Sequence, residues 1–74
     1  MMKDDLDDLL AELTPRERRI IQLRFGLADG HQRTLEEIGK RLGISRERVR
    51  EVERSALVRL RRRRLADRLR AYLD

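Results

Sequence analysis

The chain is short, basic and free of cysteine: it has 74 residues and a formal net charge of +5. This length allows one small domain or a fragment of a longer chain, and the lack of cysteine excludes disulfides and cysteine-based zinc sites. A single histidine, His31, excludes a histidine metal cluster, and no apolar run approaches the ~20 residues that a membrane span needs. We therefore expect no cofactor, no membrane partner and a reducing, cytoplasmic setting.

The first two helices are predicted from leucine spacing and from a capping signal. Residues 4–12 begin with aspartates, which the helix dipole favours in a first turn, and leucines follow at helical spacing: Leu6, Leu9, Leu10 and Leu13. Thr14 and Glu17 can form a capping box, with Pro15 at the first helical position of the second helix. This helix is predicted to run to about Phe25, with three apolar contacts: Ile20, Ile21 and Leu23.

Residues 34–54 have the pattern of a helix-turn-helix. Thr34 and Glu37 can form a second capping box, and a glycine in the middle of this helix, Gly39, suggests that another helix packs closely against it. Gly43 follows the last turn, where a left-handed backbone needs no Cβ. Ser45 can cap the next helix, which is predicted to bury Val49, Val52, Ala56, Leu57 and Leu60 and to turn outward Arg46, Glu47, Arg50, Glu51 and Arg54.

The C-terminal part is predicted as a fifth helical segment after the arginine run at 61–64, with an apolar stripe of Leu65, Leu69, Tyr72 and Leu73. No glycine or proline separates it from the preceding helix, so the two either run on as one or bend at the arginines. The fold class is therefore all-α, with four to five helices. Charge is uneven: residues 1–12 have one lysine against five carboxylates, and residues 40–70 have 13 Lys and Arg against four. This asymmetry indicates a polyanion partner or a solvated, salt-bridged surface.

Several segments together resemble region 4, the C-terminal domain of bacterial primary-type sigma factors. They are LTPRERRIIQLRFGL at 13–27, ADGHQRTLEEIG at 28–39 and GISRERVREVERSALVRLR at 43–61, and DRLRAYLD is similar to the family's chain end. The resemblance covers roughly residues 6–74, and the glycine-bearing connector is typical of primary and closely related factors. It implies a lead-in helix from an upstream sigma domain at 1–13, followed by the region 4 domain at 14–74 with its motif at 34–54.

The resemblance implies a non-catalytic domain that recognises the −35 promoter element while docked on core RNA polymerase, through the flap tip of the β subunit. The base contacts would be Arg46, Glu47, Arg50 and Glu51. The phosphate contacts would be Arg16, Arg24, Arg48 and Ser55, with Leu35 and Glu36 acting through backbone N–H groups. The residue types fit these roles, because arginine pairs with guanine O6 and N7 and glutamate can accept from cytosine N4.

Two positions depart from the family's usual pattern. Position 51 is usually glutamine in the family, whereas Glu51 can only accept hydrogen bonds when ionised. Either the base preference shifts, or Glu51 folds back onto a neighbouring arginine such as Arg48, Arg50 or Arg54. Position 55 is often lysine, and Ser55 here would weaken a phosphate or activator contact.

Two further functions remain open at this point. The chain could act mainly as a protein-docking module for the polymerase β flap, an activator or an anti-sigma factor, with DNA contact secondary. It could also be a stand-alone helix-turn-helix regulator that dimerises through its terminal helices. An enzyme is not expected, because no nucleophile–base arrangement and no phosphate-cradling glycine loop accompany the carboxylates of Asp29, Glu36 and Glu37.

Overall fold

The computed structural model describes residues 8–73, with the side chains of residues 8–64. These residues form helices joined by short connections and, within this range, no strand: residues 8–11 (α1), Pro15–Phe25 (α2), Leu35–Leu42 (α3) and Arg46–Leu73 (α4). The predicted all-α fold class is confirmed. The start of the first predicted helix and the apolar stripe at 65–73 lie outside the residues or side chains that are described.

The last helix, α4, runs for 28 residues without a break. Of the two arrangements left open for the arginine run at 61–64, the structure therefore has the continuous one. The physical reason is that no glycine or proline follows Gly43, so nothing interrupts the backbone hydrogen bonds. The recognition-type start of α4 and its arginine-rich part consequently belong to one rigid rod.

The apolar core has two neighbouring clusters, and α2 contributes to both of them. Ile20 and Leu23 of α2 pack in the first cluster with Ile38, Val49 and Val52, and the half-buried Leu35, Leu42 and Ile44 surround it. Ile21 packs in the second cluster with Leu10, Leu13 and Ala56, against which Leu60 lies. Helix α2 is thus the element that fixes the helix-turn-helix on one side and the N-terminal segment on the other.

Both predicted capping boxes are present. Thr14 Oγ1 accepts the backbone N–H of Glu17 at 3.2 Å, and Glu17 Oε1 accepts the backbone N–H of Thr14 at 2.9 Å. The same reciprocal pair joins Thr34 and Glu37 at 3.1 and 2.9 Å. At the end of α3, Gly43 has φ 72°, the left-handed conformation expected there. These local signals set the helix boundaries.

One predicted core residue is wrong: Leu57 is 40% exposed. The buried positions of α4 advance from Val49 and Val52 to Ala56, with Leu60 half-buried, in steps of three or four residues. Leu57 lies one residue beyond Ala56, about 100° around the helix axis. It therefore leaves the inward stripe and, with Val58, forms part of the exposed surface.

Gly39 lies where a side chain has no room. A Cβ built on it would come within 2.8 Å of the carbonyl oxygen of Ile44, and the next nearest atoms, 3.5 Å away, belong to Ser45 and Arg46. The sequence-based expectation named a neighbouring helix, but the closest approach comes from the backbone of the turn itself. Gly39 therefore allows the turn to fold back over α3.

We expect Gly39→Ala to destabilise the fold by about 1–2 kcal/mol. Alanine favours a helix over glycine by ~1 kcal/mol, whereas forcing an extra carbon into a packed site costs about 1–3 kcal/mol. The clash prevails because its partner is backbone and cannot move aside as a flexible side chain would. Thermal unfolding followed by circular dichroism measures the effect; an unchanged or raised midpoint would show that the turn has room for the methyl group.

Candidate nucleic-acid interface

The first two turns of α4 present a polar outer face. Ser45 Oγ accepts the backbone N–H of Arg48 at 3.1 Å, which starts the helix at the predicted cap. Val49 and Val52 point into the core, so the opposite side of α4 carries exposed side chains: Arg46, Glu47, Arg50 and Arg54. Within the part of the chain that the structure describes, these four side chains make no hydrogen bond or ion pair, so their polar groups are available to a ligand.

A cleft of about 220 Å³ lies on one flank of this face, between the start of α2 and the second and third turns of α4. It brings together three of the predicted phosphate contacts, Arg16, Arg48 and Ser55. Glu51 lines the same cleft, and its Oε2 accepts from Arg48 Nη1 at 3.3 Å. Of the arginines considered as partners for a folded-back Glu51, the structure thus selects Arg48.

Arg24, also predicted to contact phosphate, lies on the other flank and is engaged within the fold. Its Nε donates to Glu53 Oε1 at 3.1 Å, and its Nη1 donates to the carbonyl of Arg33 at 3.0 Å. The side chain of Arg24 is 35% exposed, and a guanidinium has five N–H donors. It can therefore join α2, the connector and α4 and still offer a donor to the surface; its phosphate contact stays a prediction.

The start of α3 offers backbone rather than side-chain donors. The capping box occupies the N–H groups of Thr34 and Glu37, whereas the N–H groups of Leu35 and Glu36 have no partner within the helix, as in any first turn. The side chain of Leu35 packs against the core. The exposed carboxylate of Glu36 pairs with Lys40 at 3.6 Å. The predicted phosphate site here thus depends on backbone groups beside a neutralised carboxylate.

The connector between α2 and α3 is closed by an ion pair that the sequence did not reveal. Arg33 Nη2 donates to Asp29 Oδ2 at 2.7 Å, and Asp29 Oδ1 accepts the backbone N–H of His31 at 2.9 Å. The hydrogen bond from Arg33, and then that from His31, holds the pKa of Asp29 well below its usual range. The pairing shapes the loop that precedes α3 and so sets the direction in which α3 begins.

This pairing predicts a stability that depends on pH with a definite sign. Because the pKa of Asp29 is lowered in the folded state, its contribution is complete above the unfolded value of ~3.9 and is lost as pH falls below it. Asp29→Asn should therefore lower stability at pH 7 and reduce the difference from the wild type as pH falls toward 2.5. Urea unfolding of both proteins across this range measures it; a constant difference would contradict the assignment.

A nearly buried ion pair between α2 and α4 was also missed. Arg59 Nη1 donates to Glu17 Oε1 at 2.6 Å, and the side chain of Glu17 is only 9% exposed. Glu17 was predicted as a cap and is one, but it also lies three and four residues before Ile20 and Ile21, on the inward face of α2. That spacing was the signal that could have placed it against another helix.

No group of three or more His, Cys, Asp or Glu residues in the described range could hold a metal ion. The same search range contains no helix with the length and apolar character to cross a bilayer. His31 lies exposed in the connector, where its backbone N–H donates to Asp29 and its carbonyl accepts from Arg33. Its observed role is in the shape of the loop.

Comparison with known proteins agrees with this geometry. The family model described as Sigma-70, region 4 matches residues 9–62. The RNA polymerase sigma factor SigA of Clostridium acetobutylicum is 49% identical over 74 residues, which is 100% of this chain and 20% of that protein. The chain thus spans about a fifth of the length of that relative. Since the family model covers most of the chain and includes both helices of the helix-turn-helix, the chain belongs to the sigma-70 region 4 family.

Proposed function

We propose that this chain recognises the −35 promoter element as part of a primary-type sigma factor that directs RNA polymerase to promoters. One observation carries the proposal: Arg46, Glu47 and Arg50 stand exposed and without partners at the start of the second helix of the helix-turn-helix. In complexes of this motif, the N-terminal residues of the second helix enter the major groove and contact base edges. The membership of the region 4 family supports the same role.

In this proposal, Arg46 donates to guanine O6 and N7, and Glu47 accepts from the amino group of a cytosine. Arg50 lies one turn after Arg46 and contacts a base or a phosphate. Phosphates on either side of the groove are held by the two flanks, through Arg16, Arg48 and Ser55 on one, Arg24 on the other, and the backbone N–H groups of Leu35 and Glu36. Base contacts supply the specificity and phosphate contacts fix the position of the domain on the duplex.

We further propose a cytoplasmic, non-catalytic role in transcription initiation, with core RNA polymerase as the first protein partner. The relative from Clostridium acetobutylicum is named as an RNA polymerase sigma factor, and the region 4 resemblance points to the flap tip of the β subunit. Residues 1–13 would lead in from an upstream sigma domain. Within the described residues, Leu10 and Leu13 of this segment already pack against Ile21 and Ala56.

A second candidate function, mainly protein docking, is favoured by exposed apolar residues. Phe25, Leu27, Leu57 and Val58 are each 40–44% exposed. Leu57 and Val58 line a groove of about 350 Å³ with Arg50, Arg54 and Arg61 at its edges. A partner helix with apolar and acidic residues fits such a groove, and DNA contact would then be secondary.

One binding experiment separates the two functions. The chain, tethered to a β-flap peptide, is titrated against a duplex with a −35-type site and against its scrambled version, at two salt concentrations. Promoter recognition predicts tighter binding to the matched duplex and affinity that falls as salt rises. Equal, salt-sensitive binding to both duplexes would leave only a basic helical surface and would favour docking as the main function.

The two flanking arginines of α2 should behave differently. Arg16 is exposed and makes no ion pair within the described residues, so Arg16→Ala should weaken matched and scrambled duplexes alike and reduce the salt slope by ~0.9 for the one phosphate lost. Its unfolding midpoint should not change. Arg24→Ala should also weaken all sequences, but with a lower unfolding midpoint, because it breaks the pair with Glu53. A base-dependent effect of Arg16→Ala would contradict a phosphate role.

A further inference from the structure

We propose that Glu51 competes with DNA phosphate for Arg48 and so lowers the affinity of the chain for DNA of any sequence. The inference rests on the proposed binding of DNA by α4 and concerns the cleft beside the base-contacting face. It assigns Glu51 a role different from base recognition. Stable binding would then need the base contacts or a docked protein partner in addition to the phosphate contacts.

The cleft has the donor set of an anion site, with a carboxylate already in it. Arg16, Arg48 and Ser55 line the cleft and all carry side-chain donors. Ionised Glu51 can only accept, and it accepts from Arg48 at 3.3 Å. Arginine forks suit phosphate as well as carboxylate, so the same donors would serve a phosphate of the duplex. The second carboxylate in the cleft, Glu17, is already held by Arg59.

The pair is placed so that a phosphate can displace it. The side chains of Arg48 and Glu51 are 57% and 69% exposed, and exposed ion pairs are weak because water and salt screen them. When Arg48 turns to a phosphate, Glu51 loses its partner and stands close to a negative group. Both the lost pair and this repulsion oppose phosphate binding, and neither depends on the base sequence.

The base-contacting side chains are outside this competition. Arg46 and Glu47 precede Arg48 in the first turn, and they make no ion pair with either member of the Arg48–Glu51 pair. Removing the charge of Glu51 should therefore strengthen binding to matched and scrambled duplexes by the same factor. A base-contacting Glu51 would instead change the preference at one position of the site.

The test measures the binding of the 74-residue chain to labelled matched and scrambled duplexes by fluorescence anisotropy at several KCl concentrations. Glu51→Gln should tighten binding to both duplexes about two- to fivefold, the range expected for an exposed ion pair. The salt slope should steepen by ~0.9, for one phosphate gained. In an Arg48→Ala background the same substitution should bring no increase in the salt slope, because the released arginine is absent.

Glu12→Gln is the matched control. Glu12 loses the same charge and pairs with an arginine of α4, Arg63, at 3.7 Å, about four turns along the helix from Arg48. Equal effects of Glu12→Gln and Glu51→Gln would overturn the inference in favour of net charge. A changed base preference with an unchanged salt slope would overturn it in favour of base contact. If the wild type did not distinguish the duplexes, base recognition would be wrong, while the Arg48-dependent gain on the scrambled duplex would still decide the inference.

Discussion

Arg46→Ala is expected to weaken binding to a matched −35 duplex by about 1–3 kcal/mol and to relax specificity at one guanine position. Arg46 opens α4, is exposed, and has no ion pair or hydrogen bond to other described side chains. Its guanidinium is therefore free to place two parallel donors on O6 and N7 of guanine. On a scrambled duplex the loss should be much smaller, because only the general attraction of one positive charge is removed.

The measurement is anisotropy titration of the matched duplex, of duplexes with each other base at the guanine position, and of the scrambled duplex. Arg19→Ala supplies the control for charge, since Arg19 is exposed on α2 and is not placed at the interface. Arg46→Lys keeps the charge but not the planar fork, so it should lose most of the base preference. If Arg46→Ala and Arg19→Ala weakened both duplexes equally, the base contact would be wrong.

The helices and their ends could be predicted because the signals that set them are local. Each capping box needs residues only three apart, as in Thr14 with Glu17 and Thr34 with Glu37. The buried positions of α2 follow from apolar spacing along a single helix. Leu57 was misplaced because periodicity defines a stripe only to within a neighbouring residue, and the width of the stripe depends on how far the other helices cover it.

The ion pairs that support the site could not be predicted in the same way. Arg24 and Glu53 are 29 residues apart in sequence, and Glu17 and Arg59 are 42 apart. In a chain with 19 Lys and Arg and 14 Asp and Glu, many pairings are chemically equivalent, and only the packing of α2 on α4 selects among them. The Arg48–Glu51 pair, by contrast, spans three residues of one helix and was among the expected alternatives.

These long-range pairs explain how so small a domain can hold a recognition face in position. Arg24 joins α4 to α2 and the connector on one side of the face, and Glu17 joins α2 to α4 beside the other flank. Both lie at the edges of the apolar clusters rather than inside them. The outward side chains of α4 are consequently carried on a helix that is fixed at two points by charge and along its inner stripe by apolar packing.

Glu17→Ala is expected to destabilise the fold by about 2–3 kcal/mol, because hydrogen bonds to a charged group contribute about 1.5–3 kcal/mol. A single oxygen of Glu17 accepts from both the backbone of Thr14 and the side chain of Arg59. Arg59→Ala should cost about half as much, since Arg59 is 47% exposed and its truncation lets water reach the carboxylate. Glu17→Gln keeps an acceptor for the capping box and should resemble Arg59→Ala.

Urea unfolding of the single variants and of the double variant Glu17→Gln/Arg59→Ala separates the two roles of this carboxylate. Residues that share one interaction are not additive, so the double variant should be about as stable as either single one. Additive losses would mean that the residues act independently and that the short contact between Glu17 and Arg59 contributes nothing. If Glu17→Gln were as stable as the wild type, capping alone would account for the presence of Glu17, and the apolar clusters would be the sole attachment of α4 to α2 on this flank.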